Sequence, residues 1–182
     1  GEAWEAGSKA ELGTLSGQRV ATSVPAGFQA IVGNPPYTRQ EEIDEIMSAS
    51  NYKAKIVDRA TRHEGRILAK LSAQAGLHAY VFVHATKALV EGGRFAFVVS
   101  DTWLDAKYGE GLKRFLLENY RIVGLIASRI ERWFSDAGIN TCVVLLERGR
   151  PDQGQVVRFA SLKKPLEQLC VGGRDRFAAL GV

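Results

Sequence analysis

Apolar positions along the chain fall into short runs separated by charged or Gly/Pro-rich stretches, and the spacing within the runs is of two kinds. Residues 28–33 (FQAIVG) are apolar, include β-branched side chains and stop abruptly, which predicts a short buried strand. Residues 94–100 (RFAFVVS), 120–128 (YRIVGLIAS) and 140–147 (NTCVVLLE) predict three more strands in the same way. Between the first two, Leu77, Tyr80, Val81, His84, Ala88 and Leu89 recur at helical spacing. They predict an amphipathic helix over 77–91, ended by Gly92-Gly93. A second helix, over 109–119, carries Leu112, Phe115 and Leu116 on one face. A strand–helix–strand unit implies parallel pairing of its strands, so 28–33 and 94–100 run the same way. The link between the last two strands is too short for a helical crossover, so those two pair antiparallel.

The rest of the chain is less periodic. Residues 1–27 are small, polar and Gly/Ser-rich, an irregular N-terminal segment with at most a short helix over 3–15 that Gly13 and Gly17 end. Residues 38–75 are charged, acidic first and basic afterwards, and predict helical pieces over 40–49 and 63–75 with a looser middle. That stretch reads as a solvated insertion, or as a flap whose basic side chains touch phosphates. Arg39, Lys53, Lys55, Arg59 and Arg62 are the candidates. Gly149-Arg150-Pro151-Asp152 reads as a boundary closing a unit over 28–148. Residues 149–182 then begin a following region, with a short strand over 156–159 and a helical turn over 165–169.

At 182 residues the chain is one domain at most, long enough to bury a core. Its net charge of +4 permits a nucleic-acid partner without demanding one. Two cysteines, Cys142 and Cys170, are too far apart in the chain to suggest a disulfide framework or a metal site. No run is long enough to span a membrane and residues 1–27 lack a signal-peptide pattern, so the cytoplasm is the expected compartment.

The chemistry concentrates at Asn34-Pro35-Pro36-Tyr37, just past the carboxyl end of the first strand. Two prolines remove two N–H donors and forbid helix at the residues before them, so Asn34 is held extended where open α/β sheets place their ligands. The Asn34 side-chain carbonyl and the Pro35 main-chain carbonyl are two acceptors, which suits a planar –NH2 group with two N–H bonds to give. Accepting both hydrogens draws the nitrogen lone pair out of conjugation and makes a weak nucleophile competent. Tyr37 offers a flat face for an aromatic base, a contact of roughly 1–3 kcal/mol.

Asn34-Pro35-Pro36-Tyr37 resembles the catalytic motif of S-adenosylmethionine-dependent amino-methyltransferases. The longer run NPPYTRQEEI resembles the adenine-N6 DNA methyltransferases of restriction-modification systems, the type I and type IIG kinds especially. The resemblance covers roughly 28–148. It implies part of a Rossmann-like methyltransferase sheet in the local order first, second, fourth, third, with only the fourth strand antiparallel. It also implies methyl transfer from S-adenosylmethionine to the N6 amine of an adenine flipped out of double-stranded DNA. In that reading Asn34, Pro35, Pro36 and Tyr37 are catalytic and Asn34 also meets the cofactor. Tyr37 and Phe134 stack on the base. Phe134, Ala137 and Thr141 resemble a family Phe-x-x-Ala-x-x-Thr motif within its spacing tolerance. The family's Gly-rich cofactor loop, resembling Asp-Pro-x-x-Gly-x-Gly, has no counterpart in residues 1–27, so the resemblance is to the catalytic half and the chain alone is expected to be inactive. Expected partners are DNA, the rest of a methyltransferase chain or a specificity or nuclease module, and a second copy through the edge of strand 28–33.

The same motif is shared by enzymes that methylate a glutamine side-chain amide in release factors and by some RNA base methyltransferases. A fragment that only positions DNA is the remaining alternative. Trp103, just past the second strand, suits either the cleft or the core. His78 and His84 read as residues of the helix surface or core edge.

Overall fold

A computed structural model describes residues 8–13, 16–37, 52–134 and 138–169. A five-stranded mixed sheet forms the centre, with β3 (Phe28–Gly33), β6 (Leu89–Ser100), β8 (Thr141–Arg148), β7 (Tyr120–Ser128) and β9 (Arg158–Leu162) side by side in that order. β3 and β6 are parallel, β8 is antiparallel to both its neighbours, and β9 is parallel to β7. The four strands expected from sequence therefore stand in the expected order, and the strand joined by the short link is the reversed one. The mixed α/β class is as the apolar runs imply.

One face of the sheet carries the core. Phe95, Phe97 and Val99 of β6, Cys142, Val144 and Leu146 of β8, and Tyr120, Ile122 and Leu125 of β7 are buried there. Two helices, Leu77–Thr86 and Glu110–Asn119, cover them. The second presents Leu112, Phe115 and Leu116, as its spacing predicts. The first is not amphipathic in the expected way: His78, Ala79, Tyr80, Phe82, Val83 and Thr86 are all buried. A further helix, Tyr52–Thr61, also packs against it, and the first helix reads as apolar nearly all round. Burial pushes the His78 imidazole down to about 4, so His78 is neutral at pH 7. Tyr120 and Thr86 join their hydroxyls at 2.6 Å and tie helix to sheet.

Several expectations are corrected. The helix over 77–91 ends at Thr86, because the Ala88 carbonyl accepts from the Phe28 amide at 2.7 Å and Leu89 pairs with Phe28. β6 therefore starts at Leu89, and Val90–Gly93 bulges where the register shifts. The helix expected over 63–75 is a hairpin, β4 (Arg62–His63) with β5 (Arg66–Ile67), followed by an irregular stretch. Its two turn residues, Glu64 and Gly65, have φ of 48° and 75°, the two positive values that a tight hairpin turn demands and a helix forbids. The helix in this region is Tyr52–Thr61, which begins just after the looser middle expected around 48–51; residues 40–49 lie outside the described residues. The helix expected over 3–15 is replaced by β1 (Lys9–Gly13) paired with β2 (Arg19–Ser23), where apolar and polar positions alternate.

Beyond the expected unit, β9 adds to the sheet beside β7 through Arg158–Leu162. At the other edge, β3 pairs only with β6 among the described residues, and Val32 is 80% exposed there. No helix among the described residues is long and apolar enough to cross a membrane.

Candidate active site

The carboxyl ends of β3, β6, β7 and β9 and the amino end of β8 lie at one end of the sheet. Asn34 leaves β3 at that end. A Cβ at Gly33 would stand 3.0 Å from the Phe97 ring, so a larger residue here would require that ring to shift by a few tenths of an ångström. Pro35 is buried and anchors the turn, while Asn34 and Pro36 are exposed and Tyr37 is half-buried. The Tyr37 hydroxyl donates to Asn34 Oδ1 at 2.5 Å. Burial raises the Tyr37 phenol above its ordinary value, so at neutral pH the hydroxyl keeps its proton and can donate.

Phe134 comes from the segment between β7 and β8, and its ring centroid lies 5.9 Å from that of Tyr37 with the planes 53° apart. The two aromatics expected to share a role are thus neighbours, and Phe134 is half-buried rather than part of the core. A flat ligand between two rings needs about 7 Å, twice a contact distance of roughly 3.5–4.0 Å. Admission of a base between Tyr37 and Phe134 therefore requires one ring to turn.

At the same end of the sheet is an open cleft of about 820 Å³ lined by Asp101, Asn140, Cys142, Phe159 and Ser161 among others. Asp101 donates its amide to the Asn140 carbonyl at 3.1 Å, which ties the end of β6 to the start of β8. Burial pushes the Cys142 thiol up to about 12, and the Asp101 carboxylate adds to it, so Cys142 is neutral and no nucleophile at pH 7. Trp103 is 3% exposed, in the core rather than the cleft. Thr141 is buried beside Cys142; Ala137 lies outside the described residues. No group of acidic, histidine or cysteine side chains suited to a metal ion occurs among the described residues.

Of the basic side chains proposed from sequence, Arg59 lies near the opposite end of the sheet. Arg39 and the Lys53 side chain lie outside the described residues. Lys55 and Arg59 are exposed on the helix Tyr52–Thr61, and Arg62 is spent on Asp58 at 2.7 Å. The Arg59 carbonyl accepts from Lys87 Nζ, next to Ala88, whose carbonyl meets the start of β3. Asn34 is at the other end of that strand, about 20 Å away at roughly 3.3 Å per residue. Sequence reasoning missed instead the cations at the near end, Arg129, Arg132, Lys163 and Lys164. The signal was available: Ser-Arg-Ile-Glu-Arg and Leu-Lys-Lys-Pro each follow an apolar strand directly.

Known proteins resemble this chain in sequence and in fold. It is 35% identical over 96 residues to the Type II methyltransferase M.XamI of Xanthomonas campestris pv. amaranthicola, covering 51% of this chain and 16% of that protein. It is 26% identical over 129 residues to the Type II methyltransferase M.XhoI of Xanthomonas vasicola, covering 70% and 21%. The chain thus spans about a fifth of the length of these curated relatives. The type IIG restriction endonuclease BpuSI shares the fold at a TM-score of 0.56 and 20% identity, over 78% of this chain and 16% of that one. A type I restriction-modification system methyltransferase subunit from Streptococcus thermophilus shares it at 0.51 and 19% identity, over 84% and 29%. Residues 15–134 match the Eco57I restriction-modification methylase, and with a strand-end Asn-Pro-Pro-Tyr on a mixed sheet, this chain belongs to that family.

Proposed function

We propose that this chain supplies the amine-binding half of a methyltransferase that acts on the N6 amine of an adenine flipped out of double-stranded DNA. The observation that carries the reading is Asn34: an exposed carboxamide at a strand's carboxyl end, its Oδ1 held by Tyr37 and its flank closed by the Tyr37–Phe134 pair. The adenine amine replaces the Tyr37 hydroxyl on Asn34 Oδ1 and gives its second hydrogen to the Pro35 carbonyl. Tyr37 and Phe134 open to hold the ring between them. Polarised in this way, the nitrogen lone pair forms the new N–C bond, and the amine proton leaves to water as the nitrogen becomes cationic. No strong general base is required, and the protein's contribution is orientation.

S-adenosylmethionine, when bound, would supply the electrophilic methyl group, its methyl–sulfur bond breaking to leave the neutral thioether. The residues present fit its methyl end, where Asn34 is exposed. The remainder needs a Gly-rich loop that residues 1–27 do not resemble. The chain by itself is therefore proposed to bind the cofactor weakly and to be inactive. The outer edge of β3, which has no strand partner but β6 among the described residues, is proposed to take up the rest of the methyltransferase, or a second copy of this chain in isolation, near Ile31 and Val32. A specificity or nuclease module is the further proposed partner, and the cytoplasm the proposed compartment.

Methyl transfer by the full-length protein to duplex DNA, RNA and a Gly-Gly-Gln peptide tests the reading. Activity on DNA with the methyl group recovered on adenine N6 is expected; transfer to RNA or to the peptide alone overturns it. Within the site, Phe134→Ala is expected to leave the melting temperature nearly unchanged. A buried phenylalanine would instead cost about 3–5 kcal/mol of stability. The loss should appear in base stacking, roughly 1–3 kcal/mol, read as weaker fluorescence gain of 2-aminopurine at the target position. A large drop in melting temperature with base flipping intact would return Phe134 to the core.

A further inference from the structure

We propose that Arg129, Arg132, Lys163 and Lys164 form a rim that grips the DNA phosphodiester backbone beside the base pocket. The proposal rests on the DNA reading above and names the surface that reading lacks.

The geometry begins with the edge of the sheet. Ser128 is the register partner of Leu162, and the Arg129 amide donates to the Leu162 carbonyl at 3.3 Å. The two chain segments that leave β7 and β9 therefore start side by side, and each carries two cations within its next four residues: Arg129 and Arg132 on one, Lys163 and Lys164 on the other. All four are exposed. Arg129 and Arg132 line the cleft that Asp101, Asn140 and Cys142 share, so the rim stands at the sheet end where Asn34 and Tyr37 emerge.

Three other cations of the sheet meet carboxylates. Arg94 and Arg121 both reach Glu147, at 2.8 and 3.3 Å, and Arg148 reaches Glu91 at 3.6 Å. None of the four rim cations has a carboxylate partner among the described residues. The acid between them, Glu131, is engaged in folding: its Oε1 accepts from the Leu166 amide at 2.7 Å and fixes the turn after β9. Four cations against Glu131, the one acid within these two segments, leave the edge with a net positive charge, and a polyanion relieves its self-repulsion. Phe159, 73% exposed on the cleft wall beneath the rim, adds an aromatic surface, and cations interleaved with an aromatic are the composition of a nucleic-acid groove. An evenly charged strand such as the DNA backbone matches a row of exposed cations better than a compact anion does.

The test uses the full-length protein and short duplexes, with and without the target sequence, across a salt series. Replacing all four by glutamine (R129Q, R132Q, K163Q, K164Q) should make the slope of log affinity against log salt shallower by about 3 to 4, since each phosphate left without its cation removes about 0.9 from the slope. Binding at physiological salt should weaken at least tenfold, by a similar factor for target and non-target duplexes, since phosphate contacts carry no sequence information. K163R and K164R should keep the wild-type slope, which separates the removal of charge from damaged structure. An unchanged slope in the quadruple variant, with methyl transfer to DNA intact, overturns the rim and leaves the DNA reading standing. That result would also be the outcome if the cations serve an acidic protein partner. Wild-type protein that neither binds nor methylates DNA overturns both.

Discussion

Asn34→Ala is expected to lower turnover of the full-length protein by about 100- to 1,000-fold, the range seen when one preorganised polar group is removed from a reacting centre. Affinity for DNA should change by less than about threefold, because phosphate contacts supply most of it. The split follows from the hydrogen bond in the site. Asn34 Oδ1 already accepts from Tyr37 Oη at 2.5 Å, so the target amine exchanges one donor for another when it arrives. Such an exchange contributes little to ground-state binding. As the nitrogen becomes cationic its N–H bonds become stronger donors, and the acceptor then gains weight in the transition state alone. Steady-state turnover and equilibrium binding on one duplex measure both quantities. Equal losses in the two would make Asn34 a binding residue and remove it from the chemistry.

Phe95→Ala is expected to cost about 3–5 kcal/mol of stability. Phe95 is 1% exposed and central to an aromatic cluster. Its ring stacks on Phe82 at 5.3 Å, tilts against Phe97 at 4.2 Å and meets Tyr120 edge-on at 6.1 Å. It therefore joins the first covering helix to two strands at once, and alanine leaves a cavity that three large neighbours cannot fill without moving. Its backbone partner is Ile31 of β3, so loosening here reaches the strand that presents Asn34. Denaturant unfolding should show the loss as a lower midpoint, and thermal unfolding as a drop on the order of 10 °C. Leu117→Ala serves as the control: Leu117 is 52% exposed on the outer side of its helix, and a change within about 0.5 kcal/mol is expected.

What could be read from sequence was what burial dictates over short range. The apolar runs of β6, β7 and β8 became strands buried on one face, whereas β3, expected to be buried, has no fully buried residue. Strand directions followed from two link types, and the order from the resemblance. Asn-Pro-Pro-Tyr could be placed because proline stiffness is local. The stretch 52–67 could not: its charges give no period, and two positive φ angles at Glu64 and Gly65 decided between helix and hairpin. Val90–Gly93 was read as a helix end because the pairing of Leu89 with Phe28 is a contact between distant parts of the chain. The position of β9 beside β7 has the same origin. In the site, the resemblance pointed to Phe134 as a stacking residue. Its contact with Tyr37, and the hydrogen bond from Tyr37 to Asn34, depend on how the segments after β3 and β7 meet and leave no mark in spacing. A sign switch along the chain says nothing of which end of a sheet the cations reach, and Arg59 is near the far one.

The reversal of β8 has a bearing on how such proteins diversify. A parallel neighbour would need a helix to carry the chain back along the sheet, and any change there would disturb the layer that covers the core. Here the chain crosses from β7 to β8 at the rim itself, through residues that include Phe134, Arg129 and Arg132. Lengthening a surface crossing adds only about 0.6 kcal/mol for each doubling. The contacts proposed to face the substrate can thus be exchanged, shortened or extended over evolutionary time while Asn34, on a strand two places away, keeps its position. A selector for new target sites could be built on this segment with the reacting group left untouched.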